Sequence, residues 1–365
     1  MLAQAASFAV IGLALFWAFQ LTSASLNERG VTTGFDFLGE PARTAVANAP
    51  FAFQPGIDSN GLALVVGAVN TLKISAFAII ASTLLGFLIG LGRLSRNRLA
   101  RGLCVLYVEG VRNVPVLIHL SIWYGIVLLL PAPREANLLL GTFMATNRGV
   151  FVSFPEHNVL WIVSMTAAAL VLALVAIYRK LTPHRSRHAW QTGSLLVLIA
   201  LCAPWIIAGE SPAIGQPIVT GFRVVGGLDI SPEYAAFVIA LSIYTASFVS
   251  EIVRASIQAV PRGQWEAATA LALSPHTTMR SIVLPQAVRV AIPPLSNEYI
   301  GVIKNSSLAV VIGYQEIVGV GNTVLFDTGQ AVEVMAVLAG FFIVVSLVLS
   351  GVMNIANARF RSAGD

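Results

Sequence analysis

The chain has 365 residues, of which 56% are hydrophobic and 11% charged, with a mean hydropathy of +0.80. A soluble domain carries about a quarter charged residues, so these figures exclude a soluble globular chain and a disordered one. Its two cysteines, Cys104 and Cys202, both lie in apolar runs, which excludes a disulfide scaffold.

What remains is a polytopic membrane protein. A span needs about 20 apolar residues, and eight stretches approach or exceed that length: Ala5–Thr22, Leu64–Leu91, Leu103–Leu130, Val159–Tyr178, Gly193–Ala208, Tyr234–Val253, Gln286–Gly313 and Ala331–Phe360. The runs are continuous rather than alternating in polarity, so the expected fold class is an all-α integral membrane bundle of about eight helices. The first stretch has two rival readings. Small residues at Ser23 to Ser25 resemble a signal-peptide end, although no basic residue precedes the apolar core, and a true start further upstream would supply one.

Basic residues set the orientation. Arg93, Arg96, Arg98 and Arg101 follow the second stretch, and Arg179, Lys180, Arg185 and Arg187 follow the fourth. Arg254, Arg262, Arg280 and Arg289 follow the sixth, and Arg359 and Arg361 close the chain. Eight spans put all of these on one side, leaving Arg29, Arg43, Arg134, Arg148 and Arg223 on the other. Both termini are therefore expected in the cytoplasm. The net charge of +5 is accounted for without a nucleic-acid partner. Ser23–Gly61 and Ser211–Pro232 read as periplasmic loops with short interfacial pieces. The chain divides into 1–63 (first helix and periplasmic loop), 64–130 (first part of the core), 131–233 (an insert with two spans) and 234–365 (second part of the core).

The segment 258–286 is too polar to span a membrane and too patterned to be a linker. Gly263 to Leu273 is rich in helix formers. Ser274-Pro275 offers an N-cap and a first-turn proline, and a second short helix, His276 to Leu284, is expected to end at Pro285. The apolar positions Trp265, Ala268, Leu271, Met279 and Ile282 cannot all be buried by such a hairpin alone. Two readings fit: a face for a groove on a partner, or an amphipathic hairpin on the lipid surface.

Glu266-Ala267-Ala268, then Ala272, then Ile282-x-Leu284-Pro285 resembles the EAA loop of ABC-importer permeases, with the same spacing. The one departure is Ala272, where the family has glycine. Either the bend is less sharp here, or Ser274-Pro275 supplies it. Asn70-Thr71-Leu72, Glu109-x-x-Arg112-Asn113-x-Pro115, Pro285-Gln286-Ala287, Pro294-Leu295-x-Asn297-Glu298 and Lys304-Asn305-Ser306-Ser307-Leu308 resemble the polar-amino-acid branch of these permeases. The insert and Gly34-Phe35-Asp36-Phe37 are similar to its broad-specificity L-amino-acid or glutamate/glutamine members.

The resemblance implies an ABC type I importer permease core (MetI-like) in the bacterial inner membrane. It implies four kinds of partner: a second permease subunit, two cytoplasmic ABC ATPase subunits, a periplasmic amino-acid-binding protein and the surrounding lipid. It also implies that Glu266 makes a polar contact with the ATPase while Ala267 and Ala268 allow close approach.

The chain has no P-loop of its own. Its three lysines, Lys73, Lys180 and Lys304, follow Leu72, Arg179 and Ile303, not glycine. Gly319-x-Gly321 reads as a turn, the five histidines are scattered, and His119 reads as a packed or hydrogen-bonded side chain. No catalytic constellation, metal cluster or cofactor motif is present, so the chain is not expected to be an enzyme.

Ionisable groups within a bilayer face a cavity or a partner. Glu109, Arg112, Glu298 and Lys304 stand out, with Asn297, Asn305, Ser306 and Ser307 beside them, while Lys73 reads as a snorkelling side chain. Glu109 and Arg112 share a helix face and either form an ion pair or meet substrate. Together the set offers donors for an amino-acid carboxylate and acceptors for its ammonium. The resemblance singles out Glu109 and Asn305; basic-amino-acid permeases often carry Asp at the latter position. An ion-coupled secondary carrier is compatible with the membrane acids and a proline-broken seventh span, but does not predict the hairpin spacing.

Overall fold

The structure, a computed structural model, describes residues 34–49, 51–139, 141–155, 159–181, 186–209, 214–221 and 223–362, with a few helical positions between 10 and 21. The expected span Ala5–Thr22 falls largely outside the described residues, as do parts of the two long outer loops. The chain forms two compact units, one from Met1–Gly125 with Glu233–Asp365 and one from Ile126–Pro232.

In the first unit, a short 3-10 helix Asp36–Gly39 precedes α1 (Asn60–Arg93). The Ser59 hydroxyl caps α1 by accepting from the Leu62 N–H at 3.2 Å. The helices α2 (Arg98–Arg112) and α3 (Val116–Leu128) replace the expected single span Leu103–Leu130 and are bent by 104°. Pro115 causes the break, because it disfavours helix at Val114 and cannot donate a hydrogen bond. Its carbonyl then starts α3, accepting from the Ile118 N–H at 3.0 Å.

The helix α6 (Pro232–Gln258) follows the second unit, then α7 (Arg262–Ala270), α8 (Pro275–Thr278) and a π-turn over Met279–Val283. That turn leads directly into α9 (Leu284–Asn305). The second hairpin helix therefore does not end at Pro285. The wide turn sits where the missing Pro285 N–H would have bonded, so the helix continues through the proline. Pro293 and Pro294 lie inside α9, and the 3-10 helix Ser306–Ile312 extends it. The break expected from prolines comes later, at a 55° bend before α10 (Ile317–Thr328). There Gly313 takes φ +81°, open to glycine at little cost. Gly319 and Gly321 lie within α10, not in a turn. The helix α11 (Ala331–Ser362) completes the unit.

Among the described residues, three helices are individually long and apolar enough to cross a membrane: α1, α6 and Ala331–Ala358 of α11. The two bent pairs bring the number to five if each is one span. One apolar cluster gathers Ile74, Leu120, Phe237, Leu241, Val302 and Tyr314. Another joins Phe37 and Leu64 to Ile317, Val320, Val334 and Leu338, so the 3-10 helix, α1, α10 and α11 share a core. Toward its end, α1 meets α6 through two glycines. A Cβ on Gly86 would stand 2.6 Å from Val249 Cβ, and one on Gly90 would stand 2.9 Å from the Ser250 carbonyl oxygen.

The second unit holds α4 (Val159–Leu181) and α5 (Ser186–Ala208), with apolar stretches Val163–Leu172 and Gly193–Ala208. Trp161 meets Trp205 edge-on at 5.2 Å. The polar parts of this unit form small antiparallel sheets where loops were expected. The strands β1 (Phe143–Thr146), β2 (Gly149–Val152) and β7 (Leu228–Ile230) make one. β3 (Phe154–Pro155) pairs with β4 (Ile214–Gly215), and β5 (Ile218–Thr220) with β6 (Arg223–Val225).

Candidate functional site

The helix α7 turns back through Leu271–Leu273. Ala272 takes φ +53°, so the bend is fully left-handed although the residue is alanine. The Leu273 N–H donates to the Ala268 carbonyl and the Ala272 N–H to that of Thr269, both at 3.0 Å, which closes the helix end. The Ser274 hydroxyl accepts from the Thr277 N–H at 3.2 Å and starts the return helix. The bend is therefore not less sharp for having alanine in place of glycine, and Ser274-Pro275 adds the cap that starts the return arm.

The hairpin has two faces. Ala268 and Val283 are buried, and Trp265 and Met279 pack with Ile257, Val260 and Ala287 and against Leu91, Leu94 and Val253. Its inner face is thus covered by the ends of α1 and α6. Leu271 remains 72% exposed, and Glu266, Ala267, Ala272 and Pro285 are also exposed. Ile282 and Leu284 are half-buried. Gln286 ties the arms together by donating to Gln264 Oε1 at 3.3 Å.

Beside this joint, the Glu251 carboxylate accepts from both Arg93 and Arg254. Sequence reasoning assigned both arginines to the basic side but passed over Glu251. The signal was available in the spacing Glu251-x-x-Arg254 on one helix face.

The helix α2 carries three stripes. Val108 is buried; Leu99, Leu103 and Leu106 form an exposed apolar row; Arg98, Arg101, Glu109 and Arg112 form an exposed polar row. Glu109 and Arg112 make no ion pair with each other. The Arg112 guanidinium instead lies 4.9 Å from the centre of the Phe248 ring, within electrostatic reach of Glu298. Tyr244 stacks on Phe248 at 5.1 Å and on His119 at 5.8 Å. His119 Nε2 is 3.1 Å from the Val111 carbonyl oxygen, a hydrogen-bonded ring as expected.

Arg112 on α2 and Glu298 on α9 thus lie within electrostatic reach of each other without forming an ion pair. Asn297 is exposed, and Lys304 is exposed further along α9 beside half-buried Asn305. Ser306 is fully buried and donates to the Ile303 carbonyl at 2.6 Å, and Ser307 donates to that of Lys304 at 2.8 Å. Both hydroxyls are engaged with backbone. The Lys73 ammonium lies 5.1 Å from the centre of the Tyr234 ring.

One buried site has no counterpart in the sequence reading. Glu316 is fully buried and caps α10, accepting from the Val318 N–H at 3.0 Å and the Gly319 N–H at 2.9 Å. Thr71 donates to it at 3.3 Å and accepts from the Ile317 N–H at 3.1 Å. Asn70 donates to the Gln315 carbonyl at 2.9 Å. Asn70-Thr71 therefore belongs to the joint between α1 and α10.

A hairpin anchored on two apolar helices and a polar stripe along a third suit a membrane pathway moved from one side. Residues 82–362 match the family described as binding-protein-dependent transport system inner membrane component. The chain is 39% identical over 360 residues to the putative amino-acid ABC transporter permease protein YhdX of Escherichia coli, covering 96% of this chain and 91% of that one. It is 36% identical over 353 residues to the general L-amino acid transport system permease protein AapQ of Rhizobium johnstonii, covering 94% and 88%. It is 32% identical over 388 residues to the glutamate/glutamine/aspartate/asparagine transport system permease protein BztB of Rhodobacter capsulatus, covering 95% and 90%. The chain belongs to the family of inner-membrane components of binding-protein-dependent transport systems.

Proposed function

We propose that the chain is the permease subunit of an ATP-driven importer of polar L-amino acids, working with a second permease chain, two cytoplasmic ATPase subunits and a periplasmic binding protein. The observation that carries this reading is the hairpin Arg262–Val283. Its inner face is seated on the ends of α1 and α6, while Glu266, Ala267 and Leu271 stay exposed. A face of that kind receives a partner, and a rigid displacement of it moves the helices on which it sits. The names of the relatives support the amino-acid substrate class.

In this reading 258–286 is the cytoplasmic coupling loop, with Glu266, Ala267, Ala268, Ala272, Ile282, Leu284 and Pro285 shaping the contact. Residues 64–130 and 234–365 form the permease core around the insert 131–233, and both termini are cytoplasmic. Substrate passes Glu109, Arg112, Asn297 and Glu298, then Lys304 and Asn305, while Ser306 and Ser307, their hydroxyls held by backbone, shape the wall behind them. Arg112 and Lys304 offer donors for a carboxylate, and Glu109 and Glu298 offer acceptors for an ammonium.

Proteoliposomes holding the purified complex test this. Uptake is expected to require both ATP and the binding protein; uptake driven by an ion gradient alone overturns it in favour of a secondary carrier. Glu266→Lys should insert normally and lose uptake by about tenfold or more, the scale of a lost coupling contact. Normal uptake by that variant removes Glu266 from the coupling contact.

A further inference from the structure

The contact between α1 and α6 is apolar along most of its length, with Ile74 and Ala78 sharing a cluster with Phe237 and Leu241. Gly86 and Gly90 lie against Ala246, Val249, Ser250 and Val253, which lets the backbones approach closely and seats the Val249 and Val253 side chains in the space a Cβ would take. Such apolar packing is non-directional.

At the end of this contact the character changes. Arg93, the last residue of α1, donates to Glu251 Oε2, and Arg254 donates to Glu251 Oε1. Arg254 Nε also reaches Oε2 at 3.3 Å, and its Nη1 donates to Gln258 Oε1 at 2.6 Å. The Arg93 side chain is only 10% exposed. The Arg93–Glu251 bond is directional and charge-assisted and holds α1 to α6 at a fixed height, while the Arg254 bonds, made within α6, hold the Glu251 carboxylate in place.

The same turns bear the hairpin. Leu91 and Leu94 flank Arg93, Val253 and Ile257 lie beside Arg254, and all four pack in the cluster that holds Trp265 and Met279. Glu251, Arg254 and Gln258 project from a different side of α6 than Val253 and Ile257, by the 3.6-residue repeat. One side of these turns therefore receives the hairpin, and another is locked by ions.

We propose that Arg93 and Glu251 are positioning residues that clamp α1 to α6, with Arg254 holding the Glu251 carboxylate, so that a displacement of the hairpin moves both helices as one body. Without the clamp, the hairpin bears on the two helix ends through apolar contacts alone, which have no directional bond, and less of its motion reaches the pathway. This rests on the importer reading above. It concerns how much motion arrives, not whether the ATPase docks, because none of the three residues lies in the hairpin.

The experiment measures amino acid taken up per ATP hydrolysed in proteoliposomes containing the assembled complex with its binding protein. Glu251→Gln keeps the side-chain size and removes the charge. It should lower uptake per ATP by about tenfold while hydrolysis stays within about twofold of wild type. Glu251→Asp, which keeps the charge, should recover most of the loss. Parallel decline of uptake and hydrolysis, or no change in their ratio, overturns the clamp. Should Glu251→Gln not assemble, Arg93→Gln, which removes the bond between the helices and leaves the Glu251–Arg254 pair in place, gives the same readout; an unchanged ratio there overturns it equally. A wild-type complex that transports without ATP overturns the importer reading instead, and so separates the two failures.

Discussion

Ala272 bears a cost that a glycine would not. At φ +53° its Cβ crowds the backbone, by about 1 kcal/mol relative to glycine. The residue stays there because the two closing hydrogen bonds from Ala272 and Leu273 and the buried Ala268 behind them fix the turn. Ala272→Gly is therefore expected to stabilise the hairpin by roughly 1 kcal/mol, slowing amide exchange at 272 and 273 by about fivefold. Unchanged or faster exchange would show that the turn is not strained. The position of this residue was legible from the motif spacing, but its backbone angle was not, since alanine alone does not signal a left-handed turn. Glu316 was hidden for a different reason. A single acid between apolar segments has no periodicity, and its purpose appears only when Thr71, 245 positions away, meets it at the start of α10.

At the scale of elements, hydropathy located the apolar segments but not their directions. Leu103–Leu130 has the composition of a span, and the polar face of Arg98–Arg112 disappears when averaged along its length. The 104° bend at Pro115 was written in the sequence, in the proline and in the amphipathic period before it. Pro285 pointed the other way, since a proline that normally ends a helix is here absorbed by a π-turn that no local rule anticipates. Short strands in the second unit were missed because two- to four-residue pairings carry too little alternation to read.

Packing between elements gives a sharper expectation. A Cβ on Gly86 would stand 2.8 Å from the Ala246 carbonyl oxygen, backbone that has nowhere to go. Gly86→Ala should cost about 1–3 kcal/mol of stability, as overpacking does. Gly102→Ala, at a helical position with open space around it, should gain up to about 1 kcal/mol from helix propensity. Thermal unfolding of the two purified variants compares them directly; equal shifts would show that α1 and α6 are not closely packed in the membrane.

At the scale of the whole molecule, the charged groups of α9 beyond Arg289 stand at two levels. Glu298 lies within electrostatic reach of Arg112, whereas Lys304 and Asn305 follow about 10 Å further along by the helical rise. In the proposed pathway a zwitterion passing this stretch meets cations at both levels, but the carboxylate of Glu298 at only one. The second level has no acid among its neighbours in sequence, because Asn305 is neutral. Broad acceptance is consistent with that asymmetry, since no fixed anion there selects for a cationic side chain. Asn305→Asp supplies one in a half-buried, poorly solvated place where a charge acts strongly. Competition against uptake by basic amino acids should strengthen by about tenfold relative to acidic ones, corresponding to roughly 1.4 kcal/mol of differential interaction. A uniform fall in uptake would mark Asn305 as a packing residue. An unchanged profile would take Asn305 out of the proposed pathway and leave Arg112 and Glu298 as the charged pair of that proposal still to be tested.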